Sequence, residues 1–386
     1  MFWLEIGPLG ESEYTGIPNV VCNLARQMLA DRDIETRFFF ERREVPRDAV
    51  AELIELRSGT VFKWIARNTN LPPVSALSDD RSVGIFGNVK TAHFLFDYEA
   101  QIIHDFSSLV TPQYHHAHTI RYHTEALLRD LATNDLNICV SSSTKSDLET
   151  YFPEVAPEKT MVAHLGYHWP DRFAALYGDR VLRADTAPYV LVLGTIEPRK
   201  NIDAVLAHLA RNQGLLERFV FVFCGRHGWG PEIKEKLTEF GLLRETERGR
   251  LVFTGFVGEF AKYCLLSNST LVVYPSLFEG FGLPVLEALS LGKAVVTTAS
   301  SSIPEVGGDA VSYFNPFEPD SFGNALTLAL RLLAADPEGI AQKSRDRARL
   351  FSWQKFYSAI KGRVLDDLAR RSGNANECAS RRQSQA

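Results

Sequence analysis

The chain has 386 residues, 45% of them apolar and 23% charged, with a formal net charge of −5. That length can bury two cores, the composition excludes a disordered or fibrous chain, and the acidic balance argues against a nucleic-acid binder, which carries a strong basic excess. The five cysteines (Cys22, Cys139, Cys224, Cys264 and Cys378) are scattered without a CxxC pair, so neither a disulfide framework nor a zinc ribbon is expected and a reducing cytoplasm fits best.

The first residues, MFWLEIGPLGESE, carry no basic leader, and Glu5 interrupts their apolar run too early for a signal peptide. No stretch approaches the roughly eighteen apolar residues that cross a bilayer. Residues 2–6 read as a strand, followed by a loop through Thr15-Gly16-Ile17-Pro18 and a helix near 18–31. Strand-like RFFFE, SVGIF, QIIHD, LNICVS and TMVAHL come next. Over roughly 168–187 no apolar period persists and Asp, Arg and Pro cluster, which marks a domain boundary. A second series of apolar runs then begins at YVLVLG (189–194) and continues through FVFVFCG, RLVFTG, TLVVYP and KAVVTT, with helical stretches between them. Alternation of this kind is the signature of α/β layers on parallel sheets, here two in tandem. Helical stretches occupy about 318–370, and the polar end SGNANECASRRQSQA is expected to be disordered.

Two segments of the second half carry chemistry. YVLVLG runs into TIEPRKN, which places Arg199 and Lys200 at the carboxyl end of a central strand, where ligands of open α/β sheets bind. An Arg beside a Lys can neutralise a diphosphate; alone, the pair could equally be a solvated helix cap. TLVVYPSLFEGFGLPVLEA repeats the pattern of strand, glycine turn and helix. Gly280 and Gly282 begin a dinucleotide-like GxGxxG, but Val285 stands in place of the third glycine, so that match is weak. The carboxylates say more. Glu279 lies in the turn and Glu287 about one helical turn in, so both could face a ligand over the helix start. Ionised carboxylates only accept hydrogen bonds and therefore read hydroxyl groups. With the backbone N–H groups of Gly280, Phe281, Gly282 and Leu283 and the Arg199/Lys200 pair on the phosphates, the ligand expected is a nucleotide-diphosphate sugar.

GTIEPRKN, CGRHGWG, YPSLFEGFGLPVLEALSLGKAVVTT and SSIPEVGGDA, in that order, closely resemble the donor half of retaining GT-B glycosyltransferases of family 4, whose hallmark is E-x7-E. TGIPNVV, QIIHDFSSLVTPQYH and VSSSTKSDLETYFPEVAPEKTMVAHLG resemble the other half more loosely, so the likeness runs from about 2 to 370. It implies two Rossmann-like domains facing across a cleft: 1–170 on the acceptor side, with a helix of about 352–370 able to pack back on it, and 187–350 binding the donor, followed by the 371–386 tail. It also implies residue roles. Glu279 would contact the transferred sugar, Glu287 the ribose, Arg199 and Lys200 the departing diphosphate, Gly16 the phosphates through its N–H, and His104 the donor sugar. The family's reaction is hexosyl transfer to an acceptor hydroxyl with retained configuration, here mannosyl-like, needing no metal and no cofactor. The acceptor would be a saccharide or lipid-linked saccharide of bacterial surface polysaccharide, with peripheral membrane contact and no nucleic acid. Two departures stand out: Gly194-Thr195 where many members have GR, which bears on the number of diphosphate cations, and Pro18-Asn19 where many have a second glycine, which bears on the first loop's shape.

Other readings compete with this one. A nucleotide-sugar-binding scaffold without turnover would share the motifs, and a nicotinamide oxidoreductase would share the layers but lacks the full glycine fingerprint. His115, His116, His118 and His123 lie close together in QYHHAHTIRYHTE and invite a zinc reading. They have no obvious acidic or cysteine partner and read more simply as a polar helix.

Overall fold

A computed structural model describes residues 1–12, 14–56, 62, 65, 67, 71–74, 82–178 and 187–383. The chain divides into two compact units. The first comprises 1–104, 121–166 and the segment from 352 onward; the second comprises 105–120 and 167–351. Residues 105–120 and 167–170 thus fall in the second unit rather than in an acceptor-side domain reaching to 170. Part of the expected boundary, 179–186, lies outside the described residues.

The first unit holds a sheet whose described strands are β1 (Phe2–Glu5), β2 (Thr36–Phe40), β3 (Arg43–Val45), β4 (Val83–Phe86), β5 (Tyr98–Ile103), β6 (Leu136–Cys139) and β7 (Thr160–Val162). Their order is β3-β2-β1-β4-β5-β6-β7. All neighbours run parallel except β2 and β3. The central strands are covered on both faces, so FWLE, VGIF and YEAQII are buried throughout and mostly apolar, with Glu5, Glu99 and Gln101 as buried polar exceptions. One face carries an aromatic cluster, in which Phe39 lies 5.1 Å from Phe96 and 5.6 Å from Phe86, centroid to centroid, with Trp3 beside them.

The second unit's described strands are β8 (Tyr189–Leu193), β9 (Val220–Cys224), β10 (Leu251–Gly255), β11 (Leu271–Tyr274), β12 (Val295–Thr298) and β13 (Ser312–Phe314). They are ordered β10-β9-β8-β11-β12-β13 and all parallel. The strand order reverses between β8 and β11, and in open α/β sheets ligands bind outside the strands' carboxyl ends at such a switch point. Val190, Val192, Phe221, Phe223, Leu271 and Val273 form the core with the apolar stripe of the helix Ile202–Arg211.

Two described strands escaped the sequence reading. β3 and β13 are three-residue edge strands, too short and too polar to show a period. The helix Trp353–Gln383 also differs from expectation, because it continues through 371–383 instead of giving way to a disordered tail near 371. Within the first unit this helix is tied down by Tyr357 and Lys361 on Asp31, at 2.6 and 2.9 Å, and by Asp367, which accepts from Tyr98 at 2.6 Å.

Candidate active site

The site of the second unit is built from the two loops that leave β8 and β11, the strands flanking its switch point. After β8 the chain passes close to the end of β9. A β-carbon on Gly225 would come within 2.0 Å of the Gly194 carbonyl oxygen, so only glycine permits this approach. A single 3-10 turn, Pro198–Lys200, follows, and Asn201 in the left-handed conformation (φ 52°) starts the helix Ile202–Arg211. After β11 the chain turns through Ser276–Phe281. Gly282, with φ 100°, then enters the helix Leu283–Ser290, a backbone state that favours glycine. The two loops are joined by the Leu277 N–H on the Arg199 carbonyl at 2.9 Å and by Arg199 Nη1 on the Phe278 carbonyl at 2.6 Å.

Glu279 is the centre of this junction. Only 9% exposed, its Oε1 accepts from Lys200 Nζ, from Tyr274 Oη at 2.7 Å and from Ser276 Oγ, while Arg199 Nη1 stands 3.4 Å from Oε2. Its backbone is fixed as well: the N–H donates to Ser301 Oγ and the carbonyl accepts from Ser302 Oγ, each at 2.8 Å. Burial alone would raise the carboxyl's pKa, but the charges of Lys200 and Arg199, with the hydrogen bonds, outweigh it and bring it to about 2. Burial and the neighbouring guanidinium push the Lys200 ammonium below its ordinary value. Arg199 moves up despite burial, because Glu279, Asp105 and Glu197 surround it; Glu197 Oε1 is 3.1 Å from Nη2.

Among the described residues, two donors at this junction have no acceptor. Arg199 Nε and Asn201 Nδ2 are both buried without a hydrogen-bond partner. Buried donors without partners destabilise a fold by roughly 1–3 kcal/mol each, so a cation cluster holding two of them suits an oxygen-rich anion.

Glu287 is placed by different residues. On the fifth position of the helix Leu283–Ser290 and 8% exposed, it accepts from Lys262 Nζ at 2.6 Å. The structure therefore gives each acid of the E-x7-E pair its own cation partner. Sequence reading found the acids, Arg199 and Lys200, but missed Lys262, Tyr274, Ser276, Glu197 and the two serines behind Glu279. Lys262 sits in EFAKYCLLSN, where nothing in spacing or composition sets it apart.

Residues of the other predicted group are distributed as follows. Gly280, Phe281 and Gly282 are buried in the β11 turn and Leu283 begins the helix after it. Gly16 is the first residue of the helix Gly16–Ala30 in the first unit; a β-carbon there would meet no atom within 4 Å. His104 follows β5, and its Nε2 donates to the Gly87 carbonyl at 2.7 Å. Asp105, next in the chain, accepts from Ser107 through both N–H and Oγ, at 2.9 and 2.6 Å. Desolvation opposes its ionisation, yet the Arg199 charge and these hydrogen bonds hold its carboxyl below the usual range. The His116 ring packs on Trp229 at 4.8 Å. Among the described residues no group of three or more His, Cys, Asp or Glu is arranged to hold a metal, and no helix is long and apolar enough to cross a membrane.

Residues 179–346 match the family described as Glycosyl transferases group 1. The chain is 31% identical over 259 residues to the O-antigen chain mannosyltransferase B of Escherichia coli, an alignment covering 65% of this chain and 66% of that protein, just under two thirds of its length. Among solved structures, sucrose-phosphate synthase from Thermosynechococcus elongatus superposes with a TM-score of 0.65 at 18% identity, covering 97% of this chain and 99% of the other. Anabaena HepE, solved in complex with UDP-glucose, gives 0.63 at 17% identity, with 96% and 100% covered. At such identities the structural likeness establishes the fold: two α/β parallel-sheet domains of the GT-B type.

Proposed function

We infer that this chain, which carries a Glycosyl transferases group 1 domain over residues 179–346, transfers a hexosyl group from a nucleotide-diphosphate sugar to an acceptor hydroxyl with retained configuration. The similarity to an O-antigen mannosyltransferase supports a mannosyl donor and a bacterial surface polysaccharide as acceptor. Such an enzyme would work on the cytoplasmic side, with peripheral membrane contact where the acceptor is lipid-linked.

The observation that carries this reading is the convergence of Arg199, Lys200 and Glu279 at the switch point, with buried donors lacking acceptors beside them. A diphosphate laid over the two cations would give those donors oxygen acceptors and draw the cations partly away from Glu279. The carboxylate is then freed to accept hydroxyl hydrogen bonds from the sugar, while Glu287 does the same for the ribose. The backbone N–H groups of Gly280, Phe281, Gly282 and Leu283 would add to the phosphate contacts. In the transfer step the bond from C1 to the leaving phosphate oxygen breaks and a bond from the acceptor oxygen to C1 forms on the same face. The acceptor proton passes to the departing phosphate oxygen, so no protein nucleophile is needed. Arg199 and Lys200 stabilise the charge gathering on that oxygen.

Glu279→Gln keeps the side chain's size and removes its charge. Transfer from a panel of GDP-, UDP- and ADP-sugars, followed by nucleoside diphosphate release, should fall strongly in this variant while circular dichroism is unchanged. Equal turnover in variant and wild type would remove Glu279 from the reaction, and donor binding by the wild type without turnover would favour a scaffold. Glu287→Ala should act on binding instead, weakening donor affinity by roughly 1–3 kcal/mol through loss of a charged acceptor for ribose. Equal calorimetric affinities for the two proteins would refute the ribose role.

A further inference from the structure

Glu287 does not stand alone. Lys262, from the helix Glu259–Asn268, places Nζ 2.6 Å from Glu287 Oε1 and over the ring of Trp169, 5.4 Å from its centroid. The Trp169 indole in turn donates from Nε1 to Ser290 Oγ at 2.8 Å, and that hydroxyl donates to the backbone carbonyl of Glu287 at 2.7 Å. Tyr263 packs edge-on against the indole at 5.3 Å. These contacts close a ring that begins and ends on Glu287: carboxylate, ammonium, indole, hydroxyl, backbone. All of its members belong to the second unit.

We propose that Lys262, seated on Trp169, is a specificity-determining partner of Glu287, and that the two together read a vicinal diol. The inference rests on the donor reading above, in which Glu287 meets the ribose. A lone carboxylate can only accept, and an ammonium can only donate. A hydroxyl does both, so adjacent hydroxyls can donate to Glu287 and accept from Lys262 at once, a pattern that a single hydroxyl cannot satisfy as well. The Trp169 face limits where the ammonium can go, and the Ser290 bond fixes the indole. Lys262 has a second consequence: paired with Glu287 it leaves no net charge at the ribose end, so the carboxylate does not repel the diphosphate.

The experiment is calorimetric binding of GDP, UDP and ADP and of their 2′-deoxy analogues to the full chain and its variants. Wild type should favour the ribonucleotide of the preferred base by about tenfold or more, since loss of one hydroxyl leaves both charged groups incompletely used. Lys262→Met should bind the ribonucleotide about tenfold more weakly and the deoxy analogue almost as wild type does, bringing the ratio toward one. Lys262→Arg, which retains the charge, should recover part of it. If Lys262→Met does not fold, Lys262→Gln, uncharged and nearly as long, gives the same readout. A variant that keeps the wild-type ratio while only its thermal stability falls overturns the proposal and leaves Lys262 a structural counter-ion. A wild type that binds none of the three diphosphates overturns the donor reading, and this inference with it.

Discussion

Lys200→Met lowers turnover by on the order of 10²- to 10³-fold, the range seen when one preorganised donor to a developing oxyanion is lost, while donor affinity falls less. The asymmetry follows from where charge develops. In the bound donor the diphosphate's charge is already shared with the sugar ester, and the full second charge appears only as the bond to C1 breaks. A cation placed for that moment acts mainly on kcat. The structure adds a second effect. Lys200 is 9% exposed and bonded to Glu279, so its removal leaves a buried carboxylate with Arg199, 3.4 Å away, as its remaining cation. Breaking a buried pair costs about 3–5 kcal/mol, and the arginine should reduce that to the lower end. The double variant Lys200→Met/Glu279→Gln should therefore regain stability without regaining activity, which separates the two effects. Arg199→Lys should not restore an arginine-dependent rate, because a point charge cannot bind Phe278, Glu197 and Glu279 through a planar fork. Activity should also persist in EDTA. An enzyme that stops in EDTA and restarts with magnesium or manganese would show that a metal holds the diphosphate.

The two acids of LFEGFGLPVLEA raise an electrostatic question, because carboxylates beside a phosphate site should repel its ligand. The paired geometry resolves it: Glu279 is neutralised by Lys200 and Arg199, Glu287 by Lys262. Of these three cations the sequence made two legible. Arg199 and Lys200 lie at the end of an unmistakable apolar strand, and that position has meaning because strand ends in α/β sheets point at ligands. Lys262 has no such marker. It reaches Glu287 from a different helix, 25 residues earlier in the chain, a tertiary contact that leaves no local period. Tyr274 and Ser276 were hidden for another reason: at a strand end and in a turn they look like ordinary packing and capping residues, and their hydroxyls acquire a role only when Glu279 folds back over them. The strands themselves were legible wherever both faces are buried, as in YVLVL and VFVFC. They were lost at two edge strands, β3 and β13, which bury only part of a three-residue stretch, whereas the edge strands β7 and β10 were read because they lie within the longer apolar runs TMVAHL and RLVFTG.

Glu5 supplies the other large effect, and its sign is opposite to that of Glu279. It ends β1, beside the strand-order reversal of the first unit's sheet between β1 and β4, and is 2% exposed. Its Oε1 accepts from the Gly7 N–H at 2.8 Å. Burial raises its pKa from 4.5 to about 7; the Gly7 bond opposes the shift and the charge of Glu41 adds to it. In the unfolded chain the carboxyl releases its proton near 4.5, whereas the folded state keeps it until about 7. Across that window the native state binds more protons, so stability declines as pH rises, by about 3 kcal/mol in all. Glu5→Gln removes the titration and keeps an acceptor for Gly7. It should match the wild type near pH 4.5 and exceed it by up to about 3 kcal/mol at pH 8. Because the two units can unfold separately, the measurement should follow β1 itself, by mass-spectrometric amide exchange along a urea series at both pH values. Equal protection of β1 in the two proteins at pH 8 would show that Glu5 ionises there without penalty, and that burial does not govern its carboxyl.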